Sequence, residues 1–114
     1  MYIFIIGFPT CNVQRYILYL PMIMSFKQSF LEAFWNSDSH KRVPRELSKR
    51  LIRKLDMLNS ATDVRDLKSP PSNHLHQFHG DREGQWSIAV NGPWRLCFVF
   101  KDGDVYELEL VQYH

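Results

Sequence analysis

Between positions 85 and 112 the larger apolar side chains return at every second residue. Trp86, Ile88 and Val90 alternate with Ser87, Ala89 and Asn91, and Trp94, Leu96, Phe98 and Phe100 resume the alternation after Asn91-Gly92-Pro93. That period belongs to strands with one buried face. Asn-Gly offers the positive φ angles of a tight turn, so the segment reads as a hairpin. A third strand follows Lys101-Asp102-Gly103-Asp104. Strict alternation puts its Val105, Glu107, Glu109 and Val111 on one side and Tyr106, Leu108, Leu110 and Gln112 on the other.

A longer period rules the first half. The run Met-Ile-Met-Ser-Phe from Met22 reads as a short first strand, followed by a helix in which Phe26, Phe30, Leu31 and Phe34 recur at three- and four-residue steps. Polar residues from Asn36 to His40 end it. A second helix is expected from Val43-Pro44 to about Asn59, because Val43, Leu47, Leu51, Leu55 and Leu58 form one stripe and Pro is favoured in a first helical turn. Residues 60–74, with Pro70-Pro71, read as a short helical turn and an irregular connector. Helices first and an antiparallel meander afterwards predict an α+β fold.

With 114 residues the chain holds one small core, and 45% hydrophobic with 23% charged residues is ordinary globular composition. A formal charge of +2 does not identify a nucleic-acid partner. Asp102, Asp104, Glu107 and Glu109 gather acid near the C-terminus, which leaves the remainder distinctly basic. Cys11 and Cys97 suggest neither a disulfide framework nor a metal knuckle, and both read as reduced thiols of a cytoplasmic protein, Cys97 as a small buried apolar residue. Residues 1–21 are apolar, but Gly7, Pro9, Asn12, Gln14, Arg15 and Pro21 interrupt them before the roughly 20 residues that a membrane span needs. They lack the positive n-region of a signal peptide. A packed extra element and a membrane-surface segment are two readings. The preferred one is an N-terminal extension that arises when translation is assigned from Met1 in place of Met22 or Met24, with the domain occupying residues 22–114.

Around the leucine stripe stand Lys41, Arg42, Arg45, Lys49, Arg50, Arg53 and Lys54, opposed by Glu46 and Asp56 alone. Arg45, Lys49 and Arg53 are four apart and share a face. That face is either a solvated exterior or a landing surface for phosphates or an acidic partner. His74, His76 and His79 cluster, and His114 closes the chain. The His-x-His pair admits a metal site, yet no Cys or acidic ligand sits at a diagnostic spacing except Asp81, so no metal is expected. Metal-free RNA cleavage needs one group to take the proton of a 2′-hydroxyl, one to protonate the leaving 5′-oxygen, and cations for the phosphorus oxygens. Histidines suit the first two tasks, and Arg82 and Arg95 the last. Tyr113 or an exposed Trp86 can stack on a base. Each residue also has a bland use: Arg95 can pair with Glu107 or Glu109, Arg82 can serve a turn, and Trp86 can belong to the core.

More specific is the string Leu75-His76-Gln77-Phe78-His79-Gly80-Asp81-Arg82-Glu83-Gly84, with Trp86-Ser87-Ile88, Asn91-Gly92-Pro93-Trp94-Arg95-Leu96, the terminal Tyr113-His114 and the Met-Ile-x-Ser-Phe start. Over residues 22–114 it strongly resembles the HigB toxins, the host-inhibition-of-growth branch of the RelE/ParE toxin superfamily. The resemblance implies a RelE-like fold, two N-terminal helices packed on a twisted antiparallel sheet. It implies a ribosome-dependent endoribonuclease, an mRNA interferase that cuts mRNA in the ribosomal A site with no cofactor. A HigA-type helix-turn-helix antitoxin would be its partner, operator DNA being bound only through the complex, and ribosomal RNA would suit the basic helix. By motif, His76 matches the active-site histidine after the leucine, Arg95 a phosphate ligand, Tyr113 a base-stacking residue and His114 the principal acid or base. His79 stands where the family often has Lys, and Gln112 where it often has an acid, so a permanent cation and a carboxylate are lost. His79 and Arg82 remain phosphate-ligand candidates. Two other readings of the same fold are a ParE-like inhibitor of DNA gyrase and a degenerate, non-toxic member that only binds its antitoxin.

Overall fold

The computed structural model describes residues 23–82 and 84–113; the expectations for residues 1–21 and for His114 lie outside the described residues. Residues 23–28 run extended along the last strand, with parallel bridges Ile23↔Val105 and Phe26↔Leu108. The Gln28 amide continues this ladder by side chain, accepting from the Leu110 N–H at 2.8 Å and donating to the Leu110 carbonyl at 3.1 Å. Phe26 therefore reaches the core from extended backbone, and helix α1 begins later than its spacing suggested, at Ser29–Ser37. Leu31 and Phe34 are its buried face, and Asp38 ends it in the left-handed region with its N–H on the Phe34 carbonyl.

Helix α2, Arg45–Ser60, starts directly after Pro44 and buries Leu47, Leu51, Leu55 and Leu58. Each such leucine contributes about 1.5–3 kcal/mol through removal of apolar surface from water. Lys54 is buried with them, a departure from the basic exterior expected of it. The connector folds as two 3₁₀ turns, Val64–Lys68 and Pro71–Asn73. At the first, Asp63 binds the Arg65 guanidinium and also caps the Arg65 N–H, and these hydrogen bonds hold the Asp63 carboxyl down at about 2.

Four strands, β1 His76–Gln77, β2 Gln85–Asn91, β3 Trp94–Lys101 and β4 Asp104–Gln112, form a sheet in that order with every neighbour antiparallel. In the first hairpin Asn91 pairs with Trp94, so Gly92 and Pro93 make the turn and Gly92 alone supplies the positive φ, 55°. In the second, Asp102 and Gly103 both do. Register shifts rephase two strands. Ala89 pairs with Arg95 and Asn91 with Trp94, which leaves Val90 as an extra residue turned into the core. On β4, Cys97 pairs with Glu109 but Val99 with Tyr106, and Glu107 takes φ 53°. The strict alternation expected for residues 105–112 thus fails: Val105 and Leu108 are both fully buried and Leu110 nearly so. Ser25 fixes the bulge, its hydroxyl accepting from the Glu107 N–H and its carbonyl from the Leu108 N–H.

Both helices contribute to one apolar layer, in which the α2 leucines, Leu31 and Phe34 meet Ile88, Val90, Leu96, Phe98, Val105, Leu108 and Leu110. Trp86 and Trp94, both partly buried, pack against that layer, so Trp86 lies on the core side of the sheet. This is the α+β arrangement expected. Among the described residues no helix is long and apolar enough to cross a membrane. Among the described residues no helix packs on the other face of the sheet, and the candidate chemistry sits there.

Candidate active site

Pairing places His76, Ser87, Cys97 and Glu109 in one row across the four strands, on the face opposite Ile88 and Leu96. His76 is exposed at the β1 edge, its ring in edge contact with Phe78 at 5.1 Å. Arg95 belongs to the next row, between Ala89 and Val111. Its guanidinium crosses β2 diagonally. Nε donates to the Ser87 hydroxyl at 3.0 Å, and Nη2 donates to the His74 carbonyl at 2.7 Å and to the Ser87 carbonyl at 3.4 Å. Arg95 therefore spends its bonds on β2 and the connector, in place of the carboxylate pairing that its strand position allowed. Nη1 takes no partner among the described residues, so two of the five donors stay available for an anion.

Tyr113 follows β4, its N–H held by the Pro93 carbonyl at 2.8 Å. Its hydroxyl lies 3.6 Å from the Cys97 sulfur, while the side chain stays partly open to solvent. Cys97 itself is buried, as expected of it. His76, Arg95 and Tyr113 thus share one face, joined through Ser87 and Cys97. His79 is exposed between β1 and the 3₁₀ turn Gly80–Arg82, which Arg82 ends. Gln112 is exposed in the last rung, opposite Trp94.

Arg45, Lys49 and Arg53 are exposed on α2, and helical geometry centres them opposite the buried leucines. They face away from the sheet, so the fold does not bring them to the row that carries His76. Among the described residues no three His, Cys, Asp or Glu side chains are gathered as a metal site.

Three contributors went unrecognised by residue type: Ser87, the His74 carbonyl and Lys54. Alternation did place Ser87 on the face away from Ile88, which is the signal that a hydroxyl there is not core. Lys54 stands three residues after Leu51 and four before Leu58, inside the leucine stripe. Its side chain donates to Oδ1 of Asn73, and burial, with the neighbouring Arg50 charge second, lowers its pKa below the ordinary lysine value.

Residues 24–114 match the family described as the RelE-like toxin of type II toxin-antitoxin system HigB. Toxin HigB-1 of Vibrio cholerae is 37% identical over 83 residues, 72% of this chain and 87% of that protein. Endoribonuclease HigB of Proteus vulgaris is 37% identical over 93 residues, 82% of this chain and all of the relative. An uncharacterized protein of Haemophilus influenzae is 36% identical over 86 residues, 75% of this chain and 85% of that one. Such a toxin implies an antitoxin partner. With a matching family over nearly all the described residues and relatives that cover most of the chain, this protein belongs to the HigB-like toxins of type II toxin-antitoxin systems.

Proposed function

We propose that the chain is a cytoplasmic mRNA interferase, an endoribonuclease that cuts mRNA in the ribosomal A site without a metal. The observation that carries this reading is the common face of His76, Arg95 and Tyr113, on which Arg95 Nη1 takes no partner among the described residues and the His76 imidazole is exposed. Arg95 binds the scissile phosphate and stabilises the charge that grows on its oxygens. Tyr113 stacks on a base unstacked by the ribosome. His76 and His114 exchange the two protons, His114 as the principal acid or base, because imidazole offers both protonation states near neutrality. His79 and Arg82 contact flanking phosphates. Arg45, Lys49 and Arg53 meet ribosomal RNA from the other side of the molecule. The relative named an endoribonuclease supports the activity, and the match beginning at residue 24 supports residues 22–114 as the toxin domain.

The partner in this reading is a HigA-type helix-turn-helix antitoxin, and operator DNA is reached only through the complex. Primer extension on cellular mRNA after induction tests the activity. Discrete codon-linked cuts that His114→Ala abolishes are expected, and a chain started at Met22 should cut equally. Intact mRNA accompanied by supercoiling defects would sink the proposal in favour of gyrase inhibition. Intact mRNA with antitoxin binding preserved would sink it in favour of a degenerate toxin.

A further inference from the structure

One buried cation has no part in that chemistry. Lys54 is 8% exposed and fully buried leucines flank it on its own stripe. A buried ammonium costs stability unless it is well paired, and Arg50 adds a like charge nearby. Apolar residues fill the rest of the stripe, so this lysine is explained by what it holds. It binds Oδ1 of Asn73, which is wholly inaccessible to solvent. The Asn73 Nδ2 donates in turn to the Leu67 carbonyl at 3.0 Å and to the Ser69 carbonyl at 3.3 Å. One amide therefore ties the two 3₁₀ turns to each other and to α2. The next residue, His74, is left-handed at φ 45° and ψ 55°, and its carbonyl accepts the shortest of the Arg95 hydrogen bonds. A polar chain thus leads from the helix layer to the face of the sheet that carries His76 and Arg95.

We infer that Lys54 and Asn73 are positioning residues for Arg95. The Lys54–Asn73 pair fixes the connector to α2, the connector presents the His74 carbonyl, and that carbonyl aims the guanidinium, with Ser87 as its second anchor. The effect on cleavage rests on Arg95 being the phosphate ligand; the positioning itself does not. A merely structural lysine behaves differently. Lys54→Met removes the buried charge but leaves Oδ1 of Asn73 without its donor, a loss of about 1–3 kcal/mol that releases the connector without removing any apolar side chain of the core.

The experiment compares the full chain with Lys54→Met, Lys54→Arg, Asn73→Ala and the exposed control Asp56→Ala. Two quantities are read: solvent exchange of the Arg95 Nη2 protons, which meet the His74 carbonyl, by NMR, and kcat and KM for cleavage of ribosome-bound mRNA. In Lys54→Met the exchange should quicken about tenfold, as a local bond that opens more often allows. Its kcat should fall about tenfold with KM little changed, since a misplaced group forfeits orientation more than binding. Lys54→Arg should recover part of both, and Asp56→Ala neither effect. If Asn73→Ala does not fold, Lys54→Met carries the test alone. Exchange and kcat both at the wild-type level in a folded Lys54→Met protein overturn the inference. Faster exchange with unchanged cleavage sustains the positioning and overturns Arg95 as the phosphate ligand.

Discussion

Arg95 and Arg53 carry the same guanidinium on opposite sides of one small molecule. Arg95 is half-buried and makes three hydrogen bonds to Ser87 and His74, so most of its freedom is lost on folding. Arg53, like Arg45 and Lys49, is exposed on α2 and takes no partner among the described residues. A held cation can meet a phosphate at a fixed place without a further ordering cost, which is what a transition state rewards. Unheld cations instead raise the local potential and follow whatever backbone arrives, which favours encounter and affinity. Aim on one face and attraction on the other is the division of labour that the two regions suggest.

The largest effect should come from Arg95→Ala. Loss of a preorganised donor at a developing anion costs about 10²–10³ in rate, and single-turnover cleavage of ribosome-bound mRNA reads it. Arg95→Lys should recover little, because an ammonium cannot span Ser87, the His74 carbonyl and a phosphate at once. A loss below about threefold in Arg95→Ala would remove the held cation from the chemistry and with it the comparison.

Removing Arg45, Lys49 and Arg53 together should instead act on affinity. If each meets a phosphate, the salt dependence of ribosome binding becomes shallower by about 2 in its logarithmic slope, at roughly 0.7 per contact. Binding near physiological salt should weaken about tenfold or more, while the saturated cleavage rate moves far less. Affinity measured at several salt concentrations checks this, and an unchanged slope would return the strip to a plain solvated surface.

The two regions were unequally legible in sequence. Four-residue spacing put Arg45, Lys49 and Arg53 on one exposed face, and the leucines located α2 to within about two residues. Chain period says nothing, however, about which side of a sheet a helix will cover. The row beneath the candidate site was harder to foresee because two bulges set it. With Gly92-Pro93 as a two-residue turn and no irregularity, Arg95 would face Val90 and Leu96 would face Ala89, mixing core with exterior. The extra residue at Val90 brings Leu96 opposite Ile88 and Arg95 opposite Ala89. The conflict of phases was present in the sequence; its resolution by a bulge needed the hydrophobic layer as judge. Glu107 plays the same part on β4, with a left-handed backbone that its residue type does not announce. Lys54 reads as exterior by its charge and as interior by its place in the leucine stripe, and the stripe prevails because Asn73 offers the ammonium a partner.

Ser87→Ala tests how firmly Arg95 is held. It removes the acceptor of Nε but leaves the His74 carbonyl in place. One neutral-to-charged hydrogen bond is worth about 1.5 kcal/mol, and part of its loss is regained when water reaches the arginine. The cleavage rate should fall about 3–10-fold, well short of Arg95→Ala. Combined with Lys54→Met, the losses should exceed their product, since each alone leaves one anchor. A strictly multiplicative pair would mean that the anchors do not share the guanidinium.

The smallest change is expected from Tyr113→Phe, and it decides which kind of residue Tyr113 is. Its hydroxyl meets the Cys97 sulfur at 3.6 Å, and a thiol is a weak hydrogen-bond partner in either direction. The backbone is held separately, through the Pro93 carbonyl, so loss of the hydroxyl should leave the ring close to its place. If Tyr113 works by stacking, which contributes about 1–3 kcal/mol per base, Tyr113→Phe should retain that contribution and cut the mRNA within about threefold of the parent chain, with the codon pattern intact. A loss approaching that of Arg95→Ala would instead make the hydroxyl a held, chemically engaged group, and Tyr113 would join Arg95 among the aimed residues instead of the adaptable ones.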